Sequence, residues 1–234
     1  MQYMGGKARI ARRVVAAILA DTTAREIWFE PFIGGGNVME HAAPHFARSV
    51  GADAHPDLIM MWEHVTAGGM IPDFVGREEY QELRKQSPSW LRGFAGFGAS
   101  FGGKWFGGYG VSPRDGEVCR QSFRTVSRQA GVFAKADTRF QCAKFGEIIP
   151  PDGAVVYCDP PYANTTGYTT GSFDYDAFYS TLTEWARTRS VYLSEYAVPA
   201  GVKATVIWSH EKSMPLDRAS NNRVATENLY RIEP

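Results

Sequence analysis

The 234-residue sequence is short of several things at once. No run approaches the roughly 20 apolar residues needed to cross a bilayer, and no apolar signal segment precedes Lys7, Arg9, Arg12 and Arg13. A soluble, cytoplasmic protein is expected, with no membrane partner. Cysteine is scarce: Cys119, Cys142 and Cys158 are odd in number and far apart, which excludes a disulfide framework and a zinc pair. His41 and His45 stand four apart, but Pro44 lies between them and no acid follows His41, so no metal is expected. Net charge is absent as well, with 25 basic against 25 acidic residues, which argues against a protein that coats nucleic acid indiscriminately. Gly5-Gly6-Lys7 lacks both the following Ser/Thr and the preceding strand of a phosphate loop, so a nucleoside triphosphatase is rejected.

What is present is an alternation of strands and helices. Ile10, Val14, Val15, Ile18 and Leu19 recur at helical spacing behind a glycine turn. Glu26 to Phe32 reads as a strand ending in Gly34-Gly35-Gly36, with Asn37 expected to cap a helix over about 38–46. Strand, glycine turn and helix together let backbone approach a cofactor, because glycine has no Cβ. A dinucleotide fingerprint would want a further glycine where Met39 stands. A second strand, about 49–52, ends at Asp53, 17 to 19 residues after the glycines, where an acid commonly binds two ribose hydroxyls. A helix begins near Pro56.

From Gly68 the texture changes. A polar helix around Glu78 to Lys85 leads into a glycine-aromatic stretch, Trp90 to Gly110, whose composition predicts loops and a hairpin. Beyond it Phe123, Val126, Ala130 and Phe133 form an apolar stripe, with Arg120, Arg124 and Arg128 stacked four apart on another face. Arg92 to Arg139 is locally basic: Arg92, Lys104, Arg114, Arg120, Arg124, Arg128, Lys135 and Arg139 stand against Asp115, Glu117 and Asp137. Interleaved aromatics and arginines suit nucleic acid, since bases stack on the former and phosphates bind the latter.

The apolar run Ala154 to Cys158 then reads as a buried strand that delivers Asp159-Pro160-Pro161-Tyr162 to a strand end, where α/β folds bind ligands. Each proline fixes φ and removes a donor, leaving carbonyls to accept. Such a rigid polar edge suits a planar, amino-bearing ring. A helix from about Tyr175 to Arg187 capped by Asp174, a strand over 191–194, and a closing antiparallel pair over 203–210 and 224–232 complete the chain. The pattern predicts an α/β, Rossmann-like doubly wound core with a mixed sheet over 1–67 and 151–234, interrupted at 68–150 by a small inserted helical and loop domain for target recognition.

Taken together, the motifs resemble the Dam-like, D12-class DNA adenine-N6 methyltransferases. The resemblance rests on Tyr3-Met4-Gly5-Gly6-Lys7, on Phe29-Glu30-Pro31-Phe32-Ile33-Gly34-Gly35-Gly36, on Ala52-Asp53-Ala54-His55-Pro56-Asp57-Leu58-Ile59 and on Asp159-Pro160-Pro161-Tyr162. It implies S-adenosylmethionine as cofactor, held by Tyr3, Lys7, Phe32, Gly34, Gly36 and Asp53 and bordered by Asp159. It also implies a flipped adenine of double-stranded DNA at Asp159, Pro160 and Tyr162. The insertion would grip DNA through Arg92, Lys104, Arg114, Arg120, Arg124 and Arg128. A monomer is expected. The chain departs from the family's pattern at Gln2-Tyr3, where Lys-Trp is usual, and at Ser194-Glu195, where Ser-Asn is usual. No cysteine follows a proline, unlike the nucleophile of cytosine-C5 enzymes. Methylation of RNA or of another amino group, and an inactive DNA-binding scaffold, stay open at this level.

Overall fold

The computed structural model describes residues 1–112, 117–161, 173–213 and 224–234. Helix α1 (Ala11–Asp21) is followed by strand β1 (Ile27–Glu30), the short helix α2 (Met39–Ala42) and strand β2 (Arg48–Asp53). Helices α3 (Pro56–Thr66), α4 (Arg77–Leu83), α5 (Trp90–Gly98) and α6 (Glu117–Lys135) precede strand β3 (Thr138–Cys142). Strand β4 (Val155–Cys158), helix α7 (Tyr175–Trp185) and strands β5 (Ser190–Glu195), β6 (Ala204–Ser213) and β7 (Val224–Ile232) end the chain.

The strands form one sheet in the order β3-β2-β1-β4-β5-β7-β6. Pairing is parallel from β3 through β5, and antiparallel where β7 meets β5 and β6. Both faces of the sheet are covered, so β1 and β4 are buried throughout rather than at alternate residues. Along β4, Val155 and Tyr157 join the core beneath α1, α3, α5 and α6, while Val156 and Cys158 join the core with Phe178, Leu182 and Trp185 of α7. This is the doubly wound α/β sheet with a closing hairpin that the sequence predicts. Among the described residues no helix is long and apolar enough to cross a membrane.

Three local expectations are corrected. The interruption does not reach residue 150, because Thr138–Cys142 pairs in parallel register with β2, Ser49 opposite Thr138 through Asp53 opposite Cys142. The glycine-aromatic stretch is not all loop: Trp90–Gly98 is a helix capped by Ser89, whose Oγ accepts from the Arg92 amide. Its glycines are packing devices, since a Cβ on Gly93 would strike the Asp57 carbonyl of α3 and one on Gly96 would strike the Trp105 ring. Close helix packing outweighs the roughly 1 kcal/mol that glycine costs a helix. After the glycine turn, α-helix covers only Met39–Ala42 before a 3₁₀ turn over Ala43–His45 that contains Pro44. Asn37 does not cap it; its side chain donates to the Met1 carbonyl at 3.4 Å.

Candidate active site

Crossovers leave β1 and β4 in opposite directions, so the sheet opens a crevice between their carboxyl ends. Four strand ends deliver acids there: Glu30 from β1, Asp53 from β2, Asp159 after β4 and Glu195 from β5. A fifth, Glu227, arrives from β7, which runs the other way and pairs its Asn228 with Glu195. Beside them lies a cavity of about 550 Å³ bordered by Tyr3, Lys7, Glu30, Phe32, Gly34, Asp53, Trp105, Asp159 and Pro160. That volume suits a ligand of cofactor size.

At one end Asp53 is held by backbone. The Gly34 amide donates to Oδ2 at 3.1 Å and the His55 amide to Oδ1 at 3.0 Å. Burial raises the Asp53 pKa to about 6, while these bonds pull it back. The backbone does not exhaust the carboxylate's roughly four acceptor positions, which leaves capacity for a ligand hydroxyl. Gly34 has φ +46°, and a Cβ there would lie 2.9 Å from Cε1 of Tyr3, whose ring covers the turn. Tyr3 in turn packs on Phe97, with centroids 5.0 Å apart. Phe32 stacks on Phe145 at 5.3 Å with 11° between the planes. Gly36, an expected cofactor contact, instead faces inward: a Cβ would meet Phe133 and Trp62, each at 3.1 Å. Its φ of +67° closes the turn against α3 and α6.

At the other end Lys7 is buried, with Nζ 2.7 Å from Asp159 Oδ1 and 3.3 Å from Glu227 Oε1. Burial alone would lower the Lys7 pKa, but Asp159 and Glu227 outweigh it and the net shift is upward. Lys7 therefore borders the cavity while its ammonium serves the carboxylates. Glu30 is buried and accepts from Trp28 Nε1 at 3.0 Å. Burial raises its pKa well above the ordinary carboxylate range. Glu195, likewise raised by burial, accepts from the Tyr196 amide at 2.8 Å. The tetrad loop is gripped from α7, where the Tyr175 hydroxyl donates to the Pro161 carbonyl at 2.7 Å. Tyr162 lies outside the described residues.

The expected basic contacts divide. Arg92 is a correction: its guanidinium bonds buried Asp57 at 2.8 Å and lies over Trp105, so it anchors α5 to α3. Helix formation over Trp90–Gly98 turns it inward. Lys104 is exposed at the cavity rim, next to Phe101, which is 72% exposed. Arg120 lies over Phe74, Arg124 is 3.5 Å from Glu117, and Arg128 is 3.1 Å from Glu40. Arg128 also borders a shallow hollow that shares Asn37 with the main cavity. Arg114 falls outside the described residues. Sequence reading missed Glu30, Tyr175 and Glu227 as site residues. Glu30 was within reach, being an acid at a strand end like Asp53, whereas Tyr175 carries no local signal.

Comparison with known proteins bears on this arrangement. Residues 3–90 match the family of D12 class N6 adenine-specific DNA methyltransferases. Two DNA adenine methylases, from two strains of Vibrio cholerae serotype O1, are each 28% identical over 207 residues, which cover 75% of this chain and 71% of theirs. A solved structure from Pyrococcus horikoshii, described as a candidate RNA methyltransferase, covers 95% of this chain and 82% of its own, with 11% identity and a TM-score of 0.44. The chain is thus similar to the D12 class N6 adenine-specific DNA methyltransferases over residues 3–90, and to the two Vibrio cholerae proteins over most of its length.

Proposed function

We propose that the protein transfers a methyl group from S-adenosylmethionine to the N6 amino group of an adenine flipped out of duplex DNA. The observation that carries this reading is the pairing of two subsites in one cavity. Asp53 and the Gly34 turn stand at the ends of β2 and β1, and Asp159-Pro160 at the end of β4. The cavity's volume, the spare acceptor capacity of Asp53 and the space that Gly34 keeps clear fit the cofactor. When bound, the cofactor supplies an electrophilic methyl group on a sulfonium.

The chain's own part is orientation. Adenine N6 is a poor nucleophile because its lone pair is delocalised into the ring. With the Asp159 carboxylate and the Pro160 carbonyl each accepting one N6 hydrogen, the nitrogen turns tetrahedral and its lone pair points along the line of transfer. Asp159 would take the proton that N6 sheds once it carries the added methyl group. Tyr162 stacks on the extruded ring and offsets part of the few kcal/mol that unstacking costs. Asp53 holds the ribose hydroxyls while Tyr3, Phe32 and Gly34 wall that end. Residues 68–137 form the DNA-facing segment, with Phe101 and Lys104 at the rim and Arg120, Arg124 and Arg128 along the outer track. The protein acts as a monomer and needs no metal.

Incubation with methyl-labelled cofactor and mixed duplex DNA tests this. Label in N6-methyladenine, abolished by Asp159→Ala, is expected. Label in cytosine, in RNA alone or in protein would overturn the substrate assignment.

A further inference from the structure

Lys7 is placed where a cofactor contact was expected, yet its ammonium points to the acceptor end. It rides on Gly5-Gly6-Lys7, a turn held tightly: Gly5 has φ +79°, and a Cβ on Gly6 would lie 2.9 Å from both Asn37 Nδ2 and the Tyr3 carbonyl. Three separate elements thus converge on one ammonium, the N-terminal turn carrying it, the loop after β4 supplying Asp159 and β7 supplying Glu227. Glu227 Oε1 is buried, and the Lys7 ammonium lies 3.3 Å from it.

We propose that Lys7 is the positioning counter-ion of Asp159, and that Glu227 is the second carboxylate that shares this charge and tunes how much of it Asp159 receives. The inference rests on the methyl-transfer reading and assigns Lys7 to the acceptor amino group's side of the reaction rather than to the cofactor. The reason is electrostatic. Asp159 must be ionised to accept an N6 hydrogen, and the groups packed around it oppose this. Glu30 from β1, Glu195 from the end of β5 and Glu227 from β7 are the carboxyls gathered with it at the strand ends, while Tyr157, Cys158 and Tyr196, whose pKa values burial raises, are neutral there. Any of the three carboxyls that is ionised disfavours the ionisation of Asp159. Lys7 acts the other way, at 2.7 Å from Oδ1. The hydrogen bond also fixes the carboxyl plane. Glu227 draws on the same ammonium from the far side.

Opposite signs follow for two substitutions. Lys7→Met removes the attraction, so the Asp159 titration midpoint moves up by about 1 to 3 pH units. Glu227→Gln keeps the volume and removes a competing negative charge, so the midpoint moves down by about 1 unit. Both are read in the free protein by carbon-13 NMR of labelled aspartate, without reference to activity. In the active enzyme the acid limb of the kcat profile moves in the same two directions. Lys7→Met also lowers kcat near neutral pH by about 100-fold. Calorimetric cofactor affinity stays within about threefold, because ground-state cofactor binding is not what is lost. If Lys7→Met does not fold, Glu227→Gln alone carries the test. A midpoint that is unchanged in both variants, or moves the same way in both, overturns the proposal. So does a loss of cofactor affinity in Lys7→Met that matches its loss of activity. If the wild-type protein methylates no adenine while the midpoints still shift in opposite directions, the substrate reading fails and the Lys7 pairing stands.

Discussion

Asp53 gives the sharpest prediction, because its position makes the protein's stability depend on pH in a calculable way. Burial raises its pKa from 3.8 to about 6. Between those values the folded chain binds a proton at this site that the unfolded chain does not. Stability contributed by that proton is fully present below pH 3.8 and is lost as pH rises through about 6. Two pKa units at about 1.4 kcal/mol each make the total close to 3 kcal/mol. This is a ceiling, because the carboxyl edges the cavity and water reaches it. Asp53→Asn removes the titration. The amide cannot accept from both the Gly34 and the His55 amides, but that cost is the same at every pH and cancels in the comparison. Urea melts of both proteins from pH 4 to pH 7 should show the wild type losing up to about 3 kcal/mol relative to the variant, mostly between pH 4 and 6. A stability difference that stays flat across that range would show that Asp53 does not titrate there. In parallel, cofactor affinity of the wild type should rise through pH 6 as the carboxylate forms, and the variant should show no such rise.

Other substitutions probe other joints. Gly34→Ala places a side chain at φ +46° and against the Tyr3 ring. It should cost about 1 to 3 kcal/mol in a thermal melt and weaken cofactor binding by calorimetry. Arg92→Ala should destabilise the fold by about 3 kcal/mol, since it strands buried Asp57, while the salt dependence of DNA binding stays as in the wild type. Tyr175→Phe frees the Pro161 carbonyl. A fall of about 10-fold in kcat with cofactor affinity retained is expected, and an unchanged kcat would show that the loop needs no such clamp. Lys104→Ala should lower the salt slope of DNA binding by about 1, read from titrations at several ionic strengths.

The sheet was legible because its central strands are mostly apolar and its turns are glycines or prolines at strand ends. Val155 to Cys158 declares both its burial and the place where Asp159 must stand. Asp53 and Gly34 were legible as a pair, because their spacing along a β-α-β unit corresponds to a distance in space. Helix α5 was hidden by its own composition. Gly93 and Gly96 read as loop formers, and only the positions of Asp57 and Trp105 reveal why a helix needs them. Gly36 looked like its neighbour Gly34, but one turn of backbone sends it toward Trp62 and Phe133 instead of the cavity. The Lys7, Asp159 and Glu227 grouping spans 220 residues of chain, and nothing local marks it.

The antiparallel β7 carries a consequence for the site's charge. Its register, Glu195 opposite Asn228, is what puts Glu227 beside Lys7. A slip of one position in the C-terminal hairpin would turn Glu227 to the opposite face and bring Thr226 or Asn228 into its place. Either neighbour is neutral. The ion balance at the heart of the crevice is therefore written in the alignment of β7 against β5, not in any side chain of the cavity wall.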